Sequence, residues 1–563
     1  MSLPDLIAVA RGDKPADLLL KNASIINTFT SEIDKGNVAI FSGRIAGIGD
    51  YSKAKETIDL KGNYLAPGLI NGHIHIESSM LHPAQYARAV VPRGTTSIIT
   101  DLHEIANVSG IEGIRFVMDC ARGLPLDFFF MAPSCVPATH METAGAVLTT
   151  TDIARLLRWK NNVGLGEMMN YPGVINASGD VISKIDASHG RIIAGHAPGL
   201  TGRQLNAYIS AGIYSDHETT AFDEGREKLR RGMYLMIREG SSEKNLKTLL
   251  PLVTEKTWRR CLFVVDDRSC SDLLQDGDVD AVVRKAIKLG LDPIRAIQLA
   301  TINAAEYHRL YDLGGIAPGY RANLITIKDL KKLSIDMVFF NGRLVASNGK
   351  YVESTIDHTP RKLMRSVNIK PFGIKALELK ITKEEFPCIE IIPGQIVTKK
   401  TTVKINRGTF KPDTAMDILK AVVIERHKST GNMGKGLIKG FGLKSGAIAS
   451  TIAHDSHNLV AVGTSDEDIY AAIKAIEEMR GGLVVCKDGK PIARLPLPVC
   501  GLLSPDPAEK VSLQFDALEK AAAGLGKLPA APFALLSFIA LPVIPELRLT
   551  DMGIVDVLKF KLL

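Results

Sequence analysis

Eight short apolar, strand-like runs alternate with amphipathic stretches between residues 65 and 267, and this alternation limits the fold more than any other feature. The runs are 65–75, 96–101, 128–135, 163–169, 192–196, 212–217, 233–239 and 261–267. Helix-like stretches at 83–91, 152–160, 202–211, 223–231 and 243–254 separate most of them. Strands buried on both faces read as near-continuous apolar runs, and parallel strands need a crossover of about a dozen residues or more. Eight such strands alternating with helices over about 250 residues predict a (β/α)8 barrel of the α/β class.

The flanks have a different texture. Residues 16–20, 37–41 and 44–48 read as strands, with Ser42–Gly43 as a hairpin turn. Strand texture returns at 322–327 and 337–345, where Asn341–Gly342 is a strong hairpin signal. The expected organisation is a composite β domain from residues 1–65 plus 316–359, a barrel over 66–315, and a C-terminal α/β or α+β domain over 360–563. In the last domain, 401–406, 421–424, 459–462 and 482–486 read as strands, and 466–480 and 512–523 as helices. The glycine-rich stretch 434–446 reads as turns and close backbone contacts.

Composition removes several function classes. Of 563 residues, 69 are Lys or Arg and 61 Asp or Glu, a mild excess of +8 with no basic run interleaved with aromatics. Nucleic acid is therefore not an expected partner. No apolar stretch reaches the ~18 residues of a membrane span, so no membrane partner is expected either. Seven cysteines without a CxxC fit neither a zinc ribbon nor a disulfide framework, and a reducing cytoplasm suits them. The sequence contains no G-x-S-x-G elbow and no Walker or dinucleotide fingerprint.

The chemistry is concentrated at the ends of the predicted strands. Pro67-Gly-Leu-Ile-Asn-Gly-His73-Ile-His75 places two imidazoles two residues apart, so both point to one face, as two ligands of one metal must. Strand two ends in Asp101, followed by His103 and Glu104, and strand four carries Glu167. The later ends carry His196, then Asp216-His217-Glu218, Arg238-Glu239 and Asp266-Asp267. Barrel enzymes place their chemistry on the C-terminal face of the strands. His75-Ile-Glu77 matches half of the zinc-deaminase signature, but that chemistry also needs a Pro-Cys-x-x-Cys partner, which is absent. His454-Asp-Ser-His-Asn458 reads equally well as pocket lining, metal ligands or a satisfied polar core.

With these residues in place the sequence resembles the amidohydrolase superfamily and, within it, the adenine deaminases. The closer resemblance is carried by His73-Ile-His-Ile-Glu-Ser-Ser79, Pro133-Ser-Cys-Val-Pro-Ala-Thr139, Gly166-Glu-Met-Met-Asn170, Gly195-His-Ala-Pro-Gly199, Ser215-Asp-His-Glu218 and Val265-Asp-Asp-Arg268. It continues in Glu425-Arg-His427, Lys439-Gly-Phe-Gly-Leu443, the 454–458 string and Leu541-Pro-Val-Ile-Pro-Glu546, so it spans about the whole chain.

The resemblance implies two divalent transition-metal ions, manganese or iron before zinc or cobalt. His73 and His75 would hold one ion, His196 and His217 the other, and Glu167 would bridge them in place of a carboxylated lysine. Asp266 would be the last ligand and the proton carrier. The implied reaction is hydrolytic deamination of adenine to hypoxanthine and ammonia by a metal-activated hydroxide, in purine salvage, by a cytoplasmic homodimer. Glu77, Glu104 and Glu218 are candidates for the acid that protonates the ring. Asp101, His103 and Ser134 are candidate substrate contacts. Alternatives are an amidohydrolase acting on a modified adenine or another cyclic amine or amide, and a barrel retained as a scaffold.

The sequence departs from the family pattern at three places. Asn71 stands where the superfamily usually has Asp, and Ser269 and Asp278 stand where adenine deaminases commonly have His.

Overall fold

The structure, a computed structural model, describes residues 2–352, 359–393 and 395–563. Eight parallel strands form the barrel: β1 (Leu69–Ile74), β2 (Thr95–Asp101), β3 (Asp127–Ala132), β4 (Asn162–Met168), β5 (Ile192–Gly195), β6 (Ser215–Asp216), β7 (Tyr234–Arg238) and β8 (Cys261–Val264). β1 to β5 pair in sequence order, as do β6 to β8. The ring closes where Asp266 pairs in parallel with Ile74: the Asp266 amide donates to His73 O at 3.0 Å, and the His75 amide to Asp266 O at 3.3 Å. At the β5–β6 seam the Gly195 amide donates to Ser215 Oγ at 3.1 Å, and a Cβ on Gly195 would stand 1.9 Å from Ser215 O.

The predicted run 65–75 is two strands. Tyr64–Pro67 pairs with Leu324–Ile327 in the flanking sheet, and the chain joins the barrel only at Leu69. The switch falls at Gly68, where a Cβ would meet Thr96 Oγ1 at 2.2 Å. Unbroken apolarity across residues 65–70 hides the change of partner.

Strands from both flanks of the barrel share one nine-stranded sheet. Tyr64–Pro67 lies between Leu324–Ile327 and Ala16–Asn27 in it. Both predicted hairpins are present, with positive φ at both turn residues: +50° and +80° at Ser42–Gly43, +48° and +73° at Asn341–Gly342. That is the backbone of a tight two-residue turn.

The C-terminal part is an eight-stranded sheet with the helix Asp466–Met479 packed on it. Only Glu385–Ile391 and Met433–Lys439 pair in parallel, so the architecture is α+β. Met433–Lys439 overlaps the glycine-rich stretch and corrects the turn reading over its first half. Its glycines serve close packing: a Cβ on Gly434 would stand 1.8 Å from Thr550 O.

This domain sits on the C-terminal rim of the barrel. Ser504 exchanges backbone hydrogen bonds with Met80 and His82 at 2.8 and 3.1 Å. Thr550 Oγ1 donates to Met141 O at 2.7 Å, and Asn458 Nδ2 to Thr143 O at 2.9 Å. One apolar core runs through both parts. No helix among the described residues is long and apolar enough to cross a membrane.

Candidate active site and metal-binding cluster

A chamber of about 370 Å³ opens between the strand ends and the C-terminal domain. Its floor carries His75 after β1, Glu167 on β4, His196 after β5, His217 and Glu218 after β6, Arg238 on β7 and Asp266 after β8. His73 lies beneath them, 2% exposed, its ring stacked on His217 at 4.3 Å.

Two carboxylates organise these imidazoles. Asp266 Oδ1 stands 3.3 Å from His73 Nε2 and 3.1 Å from His75 Nε2. Glu167 Oε1 stands 3.4 Å from His75 Nε2, while Oε2 is 2.9 Å from both His196 Nδ1 and His217 Nε2. His73–His75–Glu167, His73–His217–Asp266 and Glu167–His196–His217 are each triads with ligand atoms within 4.8 Å of one another. Asp266 adopts a left-handed backbone, φ +65°, which turns its side chain across the barrel from the end of β8.

The site's electrostatics favour added positive charge. Burial would raise Glu167, but His196 and His217 hold it well below the carboxylate range. Burial would likewise raise Asp266, but Arg238, with Nη1 at 2.7 Å from Oδ2, and the nearby imidazoles of His73 and His75 depress it. Burial opposes a proton on His217, yet Glu167 raises it to about 9. Protons thus balance buried carboxylates, the position that cations occupy in a metal site. Nε2 of His73 and Nδ1 of His103 are buried without a hydrogen-bond partner. A buried polar atom with no partner is costly, and metal coordination would satisfy it. The donor set, imidazole and carboxylate without thiolate, suits Mn, Fe, Zn or Co.

Strand two's end is divided between lining and support. His103 and Glu104 open the helix His103–Cys120 and face the chamber. His103 Nδ1 stands 3.4 Å from Glu167 Oε1, so it sits beside the candidate metal-binding carboxylate rather than apart from it. Asp101 lies behind Glu167 and accepts its backbone N–H at 2.8 Å. Ser134 also lies behind: its hydroxyl donates to Glu167 O at 2.6 Å. Neither lines the chamber. Glu77 is outside as well, with Oε1 on the Ile105 amide at 3.1 Å and its acid pushed up to about 7 by burial and Glu104. Glu104 and Glu218 remain at the chamber, Glu218 locked to Arg238.

The roof is what the strand ends could not reveal. His454 Nδ1 is 2.8 Å from Glu104 Oε1, and His457 also contacts that carboxylate. His454 stacks on Phe538 at 4.8 Å. Ile396, Val397, Leu541, Val543 and Ile544 complete an apolar ceiling. The strings at 454–458 and 541–546 were the only signals for it. Arg238 was visible as a strand end, but its two carboxylate partners were not. Ser269 faces a second cavity of about 360 Å³, which shares Asp267, His454 and Phe538 with the chamber.

Comparison with known proteins agrees with the geometry. The amidohydrolase family pattern matches residues 64–345, and the adenine deaminase C-terminal domain pattern matches residues 395–561. A protein named adenine deaminase from Dehalococcoides mccartyi is 60% identical, covering 100% of this chain and 99% of its own. Adenine deaminase 2 of Carboxydothermus hydrogenoformans is 49% identical over 99% of this chain and 98% of its own. An adenine deaminase of Halalkalibacterium halodurans is 46% identical over 98% and 96%. With such likeness running end to end through barrel and roof alike, the chain belongs to the adenine deaminase family of the amidohydrolases.

Proposed function

We propose that the chain hydrolyses adenine to hypoxanthine and ammonia, with His73, His75, Glu167, His196, His217 and Asp266 holding two divalent cations. The observation that carries this reading is the convergence of four imidazoles, His73, His75, His196 and His217, on the two carboxylates Glu167 and Asp266 at the chamber floor, the six side chains coming from five strand ends. Bound there, a cation pair supplies a nucleophilic water near neutral pH. Manganese or iron is the proposed metal, as the resemblance to the adenine deaminases implies; the nitrogen and oxygen donors suit zinc and cobalt equally.

The chain's own groups then divide the work. Asp266, oriented through Oδ2 by Arg238, takes the proton released as water attacks C6 and passes it to the departing amino group. Ring N1 must be protonated so that the ring can accept electron density. His454 holds that proton, raised to about 9 by Glu104 against the opposing effect of burial, and the Glu104 carboxylate, itself held well below the ordinary range, relays it to the ring. The apolar ceiling receives the faces of the base and excludes bulk water.

Steady-state turnover against a panel of ring amines and lactams tests the proposal. Adenine is expected to be the preferred substrate, giving equimolar hypoxanthine and ammonia. If adenine turned over no faster than in buffer while another panel member was hydrolysed, the substrate would be wrong. A place in cytoplasmic purine salvage and a homodimeric assembly belong to the same proposal, and light scattering tests the latter.

A further inference from the structure

Two of the chain's departures from its family pattern meet in space. Asn71 Nδ2 donates to Asp278 Oδ1 at 2.9 Å, across 207 residues of sequence. Asn71 Oδ1 accepts the Val265 amide at 3.3 Å. Thr95 Oγ1 donates to Asp278 Oδ2 at 2.9 Å, and the Tyr86 hydroxyl donates to Oδ1 at 3.4 Å. Asn71, Tyr86, Thr95 and Asp278 are all fully buried. Asp278 is itself fixed by its own amide, which donates to Asp280 Oδ1 at 2.7 Å.

The chemistry of this group permits only one orientation of the amide. A backbone N–H can only donate, so the oxygen of Asn71 must face Val265 and its NH2 must face the carboxylate. The amide therefore joins two strands that the proposed cation site uses. Asn71 lies two residues before His73 on β1, and Val265 immediately precedes Asp266. Asp266 has a backbone that non-glycine residues seldom adopt, and such a conformation persists only where its surroundings determine it.

We infer that Asn71 and Asp278 form a positioning pair: the carboxylate orients the amide, and the amide holds His73 and Asp266 in the relative placement the cations require. Ser269 stands apart from it, capping the helix Cys270–Gln275. The inference rests on the proposed cation site, and outer hydrogen-bond partners of metal ligands typically change affinity or activity by about 10–100-fold when removed.

Donor–acceptor reversal is the test. Asn71→Asp sets two carboxylates against each other, and Asp278→Ala frees the amide to turn. The double variant Asn71→Asp/Asp278→Asn restores a hydrogen bond of the opposite sense and still offers Thr95 an acceptor. Mn2+ affinity by calorimetry on the metal-stripped protein, kcat and KM for adenine, and Tm would be measured for all three. The expected result is a fall of about 10–100-fold in Mn2+ affinity and in kcat for each single variant, a smaller change in KM, and recovery to within a few-fold in the swap. Unchanged Mn2+ affinity in folded single variants would overturn the inference, as would a swap no better than Asn71→Asp. Should the singles not fold, Asp278→Asn alone and the swap decide it by the same affinity comparison. Failure of the unsubstituted protein to bind Mn2+ would instead sink the cation site itself.

Discussion

Floor and roof of the chamber are built from the same residue types, yet their charges balance differently. On the floor, Glu167 and Asp266 lie buried among four imidazoles, and the protons that neutralise them sit on His75 and His217. In the roof, Glu104 faces His454 and His457; burial pulls His457 down to about 4, while Glu104 raises His454 to about 9. One proton on His454 already neutralises Glu104. The proposed function puts cations on the floor and a proton in the roof, although both could be drawn as a carboxylate with histidines. Ligand type alone does not separate a metal site from an acid.

Substitutions should affect the two regions differently. The largest effect is expected on the floor. His73→Ala or Asp266→Asn should lower kcat/KM by about 10⁴-fold and reduce bound metal, read by assay and elemental analysis. In the roof, Glu104→Gln should lower kcat by about 10²–10³-fold with metal content unchanged. Metal loss in that variant would erase the distinction.

The pH profile refines it further. The His454 proton is present below about pH 9 and lost above it, so kcat should decline on the alkaline side of pH 9. His454→Asn should remove that limb and leave a lower, flatter profile. The smallest effect is expected at the ceiling. Phe538→Ala should raise KM by about 5–10-fold, the value of one aromatic contact, with kcat nearly intact.

Legibility in the sequence followed the range of the physics. Barrel strands are buried and mostly apolar, and all but β3 end at or beside a titratable group, so fold and floor could be read from local pattern. Boundaries set by a change of partner could not: the break at Gly68 depends on Thr96, and the strand at 433–439 looks like turns because Thr550 demands a glycine opposite it. Side chains behind the floor show the limit of strand-end pattern. Asp101 and Ser134 carry the right atoms at the right strand ends, but they spend them on the Glu167 backbone. The roof arrives from residues about 350 positions beyond Glu104, and no periodicity announces such a meeting. Asn71 and Asp278 are the sharpest case: each looked like an isolated departure until their hydrogen bond joined them.

The account's central claim is that the floor binds two cations that adenine hydrolysis requires and the roof binds none. Its most direct test is stepwise Mn2+ addition to the metal-stripped protein with adenine turnover followed at each step. The predicted course is negligible activity without metal and a rise that breaks to a plateau at two equivalents per chain. Full turnover in the stripped protein, or a plateau only at three equivalents, would contradict it.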